Sequence, residues 1–333
     1  MRSYRVWEHG SPQAMKIDTL PALSPGAGEV VVEVKAAGVG FVDTLMVSGR
    51  YQTIPPLPFT PGMEFAGIIR AVGPGVIDHV PGDRVAAYVL DGAFAEQALA
   101  KTHQIFPLPD AIPFSQAALL CLPYLTAHFA LVERGRFKRG ETVLVGGAGG
   151  AVGLAAVQIA KVLGARVLGA VRSVKDAAIV SAAGADAIID LTGPDLRDAV
   201  RRQVHAATDG KGADIVIDPI GGEFLAAALR ASAWGGRLVI VGFAAGDIPT
   251  VKVNDLLLKN ISILGLELNQ YRDRSPDLVK TVQAEVLEMW GQGLLQPRIA
   301  RHFEFEAVPD ALEFVANGRT NGRAIVSLGS ETL

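Results

Sequence analysis

Residues 141–153 read Glu-Thr-Val-Leu-Val-Gly-Gly-Ala-Gly-Gly-Ala-Val-Gly, a short β-branched run that enters a turn of almost nothing but glycine and alanine. The segment that follows, 152–163, has the periodicity of a helix. Written as Ala148-x-Gly150-x-x-Gly153, the turn is an A-x-G-x-x-G variant of the dinucleotide fingerprint. Small residues are needed there for three reasons: the turn is tight, the backbone must approach a diphosphate, and the helix must sit close to the strand. Unpaired N–H groups at the helix start, with the positive end of its dipole, then face the phosphates. This nominates Ala148, Gly149, Gly150, Ala151, Val152 and Gly153 as cofactor-binding.

The turn opens a long alternation. Strands are expected at 141–146, 165–171, 187–190, 214–218, 236–243 and 261–266, with helices at 152–163, 173–183, 195–207, 222–231 and 254–259. That pattern predicts an α/β fold with a doubly wound parallel sheet. Upstream, the first ~110 residues read as short strands (29–37, 65–72, 83–89) separated by Pro/Gly turns, a β-rich domain. A helix is expected over 115–133, with Ser115 as its cap. After about residue 266 the alternation stops; helices at 275–292 and 308–316 and a last strand at 323–328 are expected to return to the first domain. The dinucleotide domain (122–266) is then an insertion in a discontinuous β-rich domain (1–121 and 267–333).

An acidic residue commonly ends the second strand of an NAD site, where it holds the ribose 2′-hydroxyl. Here that position is Arg172, with Ser173 and Lys175 beside it and Asp176 next in line. Arginine can pair bidentately with a 2′-phosphate, so NADPH is the expected cofactor.

Composition narrows the remaining choices. The net charge is −3, from 31 basic and 34 acidic residues, which offers no polybasic surface for nucleic acid or a membrane. A single cysteine, Cys121, and six histidines without ligand spacing leave no expected metal site. No signal-peptide core stands at the start, and the most apolar stretch, 117–132, reads as a buried helix, so a cytoplasmic location is expected.

Several segments together resemble the zinc-independent NADPH:quinone oxidoreductase (zeta-crystallin-like) group of the medium-chain dehydrogenases/reductases. They are Ala36-Ala37-Gly38-Val39-Gly40-Phe41-Val42-Asp43-Thr44, Gly49-Arg50-Tyr51, Pro61-Gly62-Met63-Glu64-Phe65-Ala66-Gly67, Gly82-Asp83-Arg84-Val85, Leu125-Thr126-Ala127, the glycine turn, Asp218-Pro219-Ile220-Gly221-Gly222 and Asn321-Gly322-Arg323-Ala324. The resemblance implies a Rossmann domain inserted in a GroES-like catalytic domain. It implies hydride transfer from NADPH to quinones or conjugated carbonyl compounds. The alternatives are an enoyl-thioester or alkenal reductase, and an NADPH-binding sensor or scaffold protein with little turnover.

The resemblance also assigns residues. In zinc-dependent relatives Gly40 would be a cysteine ligand and Met63 a histidine ligand; in the quinone reductase group the Gly40 position usually holds Asn. Tyr51 is the expected hydrogen-bond donor to the reducing carbonyl, and Asp43 a second catalytic candidate, with a structural role weighed more heavily. Thr126 is placed near the nicotinamide ribose, Gly242, Phe243 and Leu266 near the nicotinamide, and Arg319 as a further phosphate contact. Leu191 and Asp176 stand where a tyrosine and a lysine are often found. A homodimer is expected through the strand at 261–264.

Overall fold

The computed structural model describes residues 1–318 and 320–329. The chain forms two compact units: the first comprises Met1–Leu122, Asn269–Gly291 and Gln296–Leu333, and the second Pro123–Leu268 with Gln292–Leu295. Strands in chain order are β1 (Arg2–Arg5), β2 (Lys16–Thr19), β3 (Glu29–Val39), β4 (Glu64–Val72), β5 (Arg84–Tyr88), β6 (Gln97–Lys101), β7 (Ile105–Pro107), β8 (Thr142–Val145), β9 (Arg166–Val171), β10 (Ala187–Asp190), β11 (Ala213–Asp218), β12 (Ser232–Ile240), β13 (Ser262–Gly265), β14 (Ile299–Glu304) and β15 (Arg323–Ser327).

In the second unit six parallel strands pair in the order β10-β9-β8-β11-β12-β13. The first strand after the unit's start therefore lies in the middle, and order reverses between β8 and β11, the position where open α/β sheets bind ligands. Leu144 pairs with Leu168 on one side and Val216 on the other, and all three are fully buried. Strands covered on both faces are expected to be apolar throughout, as Val143-Leu144-Val145 is. The helix Leu196–Ala207 shows how a covering helix attaches: Leu196, Val200 and Val204, four residues apart, are its buried stripe. Two caps follow from the residues that precede the helices. Ser173 Oγ accepts from Asp176 N–H at 3.0 Å, and Asp195 Oδ1 from Asp198 N–H at 3.2 Å.

In the first unit the main sheet runs β14-β15-β3-β4-β5-β7, and β6 also pairs with β3. Pairing is antiparallel except for β14 with β15. The long β3 is buried along both faces, so its valines and alanines form the spine of this unit. The last strand, β15, lies against it, with Ala37 opposite Val326.

Two sequence expectations change. The segment expected as one helix over 115–133 is broken: Phe114–Ala117 and Leu122–Phe129 are separate helices, followed by a π-helical turn at Ala130–Arg134. Pro123 explains the break. It lacks an N–H and its ring excludes the carbonyl of the preceding turn, so a helix can restart at it but not run through it. The cap is Pro113, and Ser115 is buried inside the first short helix. The stretch Phe114–Arg134 is long and apolar enough to cross a bilayer by composition, yet 83% of that window is buried inside the protein. In addition, the helices Phe41–Val47 and Leu268–Arg274 stand where a β-rich run and no regular element were expected.

Candidate active site

The glycine-rich turn is pinned to both neighbours of β8. Gly146 N–H donates to Ile217 O at 2.9 Å, and Ala148 N–H to Ala170 O at 3.0 Å. Gly147 takes φ +54°, and Gly150 N–H closes the turn onto Gly147 O at 2.8 Å. Gly150 is the N-cap of the helix Ala151–Val162 and supplies no side-chain cap. The N–H groups of Ala151, Val152 and Gly153 therefore open the helix with no carbonyl a turn earlier to receive them. A Cβ on Gly153 would lie 2.2 Å from Gly147 O and 2.8 Å from Ala148 Cα, so only glycine lets helix and turn approach this closely. The result is a backbone cradle at a positive helix end, which fits a dinucleotide diphosphate.

The other strand ends of this sheet gather beside it. After β9, Arg172 is exposed, Ser173 caps the next helix, and Lys175 is exposed. After β11, the fully buried Asp218 accepts Ile220 N–H at 2.8 Å and Gly221 N–H at 2.9 Å through Oδ1. Burial pushes its carboxyl pKa up, and these two N–H groups oppose the shift. Gly221, at φ +69°, lies under the Phe243 ring: a Cβ there would be 2.8 Å from Phe243 Cδ1. Gly242 backs onto the Pro219 carbonyl, and Leu266 N–H donates to Ile240 O at 3.0 Å. Gly242, Phe243 and Leu266 thus stand at the carboxyl ends of β12 and β13, on the same edge of the sheet as the glycine turn. Thr126 is buried on the helix Leu122–Phe129, whose Tyr124 hydroxyl donates to Gln158 Oε1 at 3.0 Å on the dinucleotide helix. Arg319 lies outside the described residues.

Tyr51 and Asp43 belong to the first unit. Asp43 opens the helix Phe41–Val47, and its Oδ2 accepts Gly40 N–H at 2.7 Å. It is buried, and burial pushes its pKa from 3.8 up to about 7, with the Gly40 N–H opposing. Its geometry is that of a group that fixes the Gly40 corner. Neighbouring Met63 is buried, and Glu64 is buried in an ion pair with Arg323 of β15 while accepting Leu122 N–H at 2.8 Å. Among the described residues no three His, Cys, Asp or Glu side chains cluster as metal ligands.

Tyr51 is half-buried, and its hydroxyl oxygen accepts Asn269 Nδ2 at 3.2 Å. Asn269 is fixed from behind. Its Oδ1 accepts the Tyr88 hydroxyl at 2.8 Å and Arg272 Nη1 at 3.1 Å. Arginine can only donate, so the amide oxygen must face it and the amide nitrogen must face Tyr51. Arg272 is in turn buried, forked on Asp273 at 2.8 and 3.1 Å, and stacked 5.1 Å from the Tyr88 ring centroid. Sequence reasoning missed Asn269, and its short polar helix carries no local pattern that would have marked it.

Comparison with known proteins places the chain in a family. Residues 26–110 match the alcohol dehydrogenase GroES-like domain, and residues 151–284 match the zinc-binding dehydrogenase domain. Rat quinone oxidoreductase-like protein 2 (Rattus norvegicus) is 36% identical over 317 residues, covering 95% of this chain and 89% of the relative. The quinone oxidoreductase of Pseudomonas syringae pv. Tomato DC3000 superimposes with a TM-score of 0.91 at 31% identity, covering 98% of this chain and 99% of that one. A mycobacterial protein solved in complex with NADPH gives 0.91 at 30% identity, covering 98% and 100%. CurK enoyl reductase gives 0.88 at 26%, covering 98% and 99%. The chain is an oxidoreductase with a nicotinamide-type cofactor site, and it belongs to the quinone oxidoreductase-like family of medium-chain dehydrogenases/reductases.

Proposed function

We propose that this protein is an NADPH-dependent reductase of quinones and other conjugated carbonyl compounds, working without a metal ion. The observation that carries the reading is the backbone cradle at Gly147–Gly153 beside the exposed Arg172 and Lys175. When bound, the nicotinamide supplies the hydride. The N–H groups of Ala151, Val152 and Gly153 hold the diphosphate, and Arg172 and Lys175 meet the 2′-phosphate. Backbone groups at Gly242, Phe243 and Leu266 orient the nicotinamide carboxamide, and Thr126 its ribose. Tyr51 donates a hydrogen bond to the substrate oxygen as it gains negative charge. Asn269 orients that hydroxyl and, by donating to its oxygen, makes it a stronger donor. Asp43 acts through the backbone, by holding Gly40.

The test is nucleotide oxidation with 1,4-benzoquinone, an alkenal and crotonyl-CoA, repeated after dialysis against a chelator. Turnover of the first two that survives chelation is expected. A strong preference for crotonyl-CoA would favour the enoyl-thioester reading, which the likeness to CurK enoyl reductase supports. Tight NADPH binding with no turnover would favour a sensor. We further propose a cytoplasmic homodimer. β13 is the open edge of the second unit's sheet, and Trp234, Val253, Leu257 and Leu258 of the same unit are exposed apolar side chains.

A further inference from the structure

Asp176 is a charged group of the second unit to which the reading above gives no role. It lies in the first turn of the helix Val174–Ala182, its own N–H held by the Ser173 hydroxyl. Its side chain lies over the glycine-rich turn: a Cβ built on Gly149 would be 3.0 Å from Asp176 Cγ and 3.1 Å from Oδ1. Arg172 and Lys175, close by in sequence, are both solvent-exposed. The charge packed against the glycine turn is therefore negative, and the neighbouring positive charges are solvent-exposed.

That order of charges matters for an adenosine ribose. In sheets of this type a carboxylate near the end of the second strand accepts hydrogen bonds from the ribose hydroxyls. A bond from O–H to a carboxylate is among the strong ones. When the 2′-hydroxyl is replaced by a phosphate ester, the same carboxylate meets a dianion and loses its donor. Arg172 and Lys175 offset that repulsion from solvent-exposed positions, where their fields are screened.

We propose that Asp176 sets the cofactor preference of this protein. It accepts a hydrogen bond from the adenosine ribose of NADH and opposes the 2′-phosphate of NADPH, so that the two nucleotides bind within about tenfold of one another. The proposal rests on the dinucleotide reading of the glycine turn and deepens it: the site is permissive rather than strictly NADPH-selective.

The experiment is a set of equilibrium titrations on the full chain, read by calorimetry, with NADPH, NADH, 2′,5′-ADP and 5′-AMP. The last two differ by the 2′-phosphate alone and report the ribose corner independently of turnover. The proteins are wild type, Asp176→Asn and Arg172→Ala. Asparagine keeps the side-chain shape over Gly149 and removes the charge. Asp176→Asn is expected to move the NADPH:NADH affinity ratio by about tenfold toward NADPH, with a parallel move in 2′,5′-ADP against 5′-AMP. Arg172→Ala is expected to move both ratios the other way. The proposal is overturned if Asp176→Asn leaves both ratios within about twofold of wild type, or if wild type already prefers NADPH by more than about a hundredfold. If wild type binds none of the four ligands, the dinucleotide reading itself fails, an outcome distinct from unchanged ratios in a protein that binds.

Discussion

Gly153→Ala tests the cradle most directly, because two opposing effects can be weighed from the coordinates. In an unstrained helix the change should help: alanine is favoured over glycine by about 0.8–1 kcal/mol. Gly153 sits in the first turn of the helix Ala151–Val162 with no left-handed backbone angle to forbid a side chain. Against this, the new Cβ would lie 2.2 Å from Gly147 O, a backbone atom held in the turn by Gly150 N–H. To reach ordinary contact, helix and turn must part by roughly 1 Å. Overpacking of this kind costs about 1–3 kcal/mol. The clash should outweigh the propensity gain, leaving a net loss of up to about 2 kcal/mol, or up to roughly 8 °C in Tm for a unit of this size. The larger effect should be on binding. Displacing the helix start misaligns N–H groups that bond a charged diphosphate, each bond being worth about 1.5–3 kcal/mol. Nucleotide affinity should therefore fall by about tenfold to a hundredfold. Gly291→Ala, at the end of the helix Pro276–Gly291 with open space and no left-handed angle, is the control and should be neutral to slightly stabilising, with nucleotide affinity unchanged. Urea unfolding and NADPH titration on the three proteins decide the matter. A Gly153→Ala protein as stable as wild type and binding NADPH equally would refute the reasoning.

Four further outcomes are expected. Stability should fall as pH rises from about 4 to about 7, because Asp43 keeps its proton in the folded state up to about 7 whereas its ordinary value is 3.8. Urea unfolding across that range should show the slope in wild type and a flatter curve in Asp43→Asn. Arg323→Met leaves Glu64 buried without its cation and should cost about 3–5 kcal/mol by denaturant unfolding, most of it recovered when Glu64→Gln is added. Tyr51→Phe should lower kcat with an alkenal by about tenfold to a hundredfold and change NADPH affinity little; equal loss in both would point to a packing role instead. Leu257→Glu should convert a dimer to a monomer by light scattering, and a monomeric wild type would sink the proposed assembly.

What could be read from the residues alone was local. The glycine turn and the alternation of strand and helix in the second unit each depend on neighbours within a few positions, whereas the spatial order β10-β9-β8-β11-β12-β13 departs from the order in the chain. The expected helix over 115–133 is two helices because the apolar periodicity runs straight past Pro123, where the backbone cannot continue a helix. Phe41–Val47 is too short to establish a helical period inside a run that looks extended. At the candidate site, Tyr51 was visible but the residue that orients it was not: Asn269 lies 218 positions away. Asp176 was visible as an awkward neighbour of Arg172; that its side chain turns inward over Gly149 while Arg172 faces solvent required the fold.

β15 has a consequence for how the molecule is made. The second unit's sheet is drawn from one uninterrupted stretch, so it can close as soon as that stretch leaves the ribosome. The first unit begins earlier but finishes last: until Arg323–Ser327 is synthesised, the flank of β3 that pairs with β15 stays open and Glu64 has no counter-charge. The earliest-made strands therefore wait through the synthesis of an entire inserted domain, and a nascent chain stalled shortly before residue 323 would carry a finished nucleotide module beside an unfinished, aggregation-prone sheet.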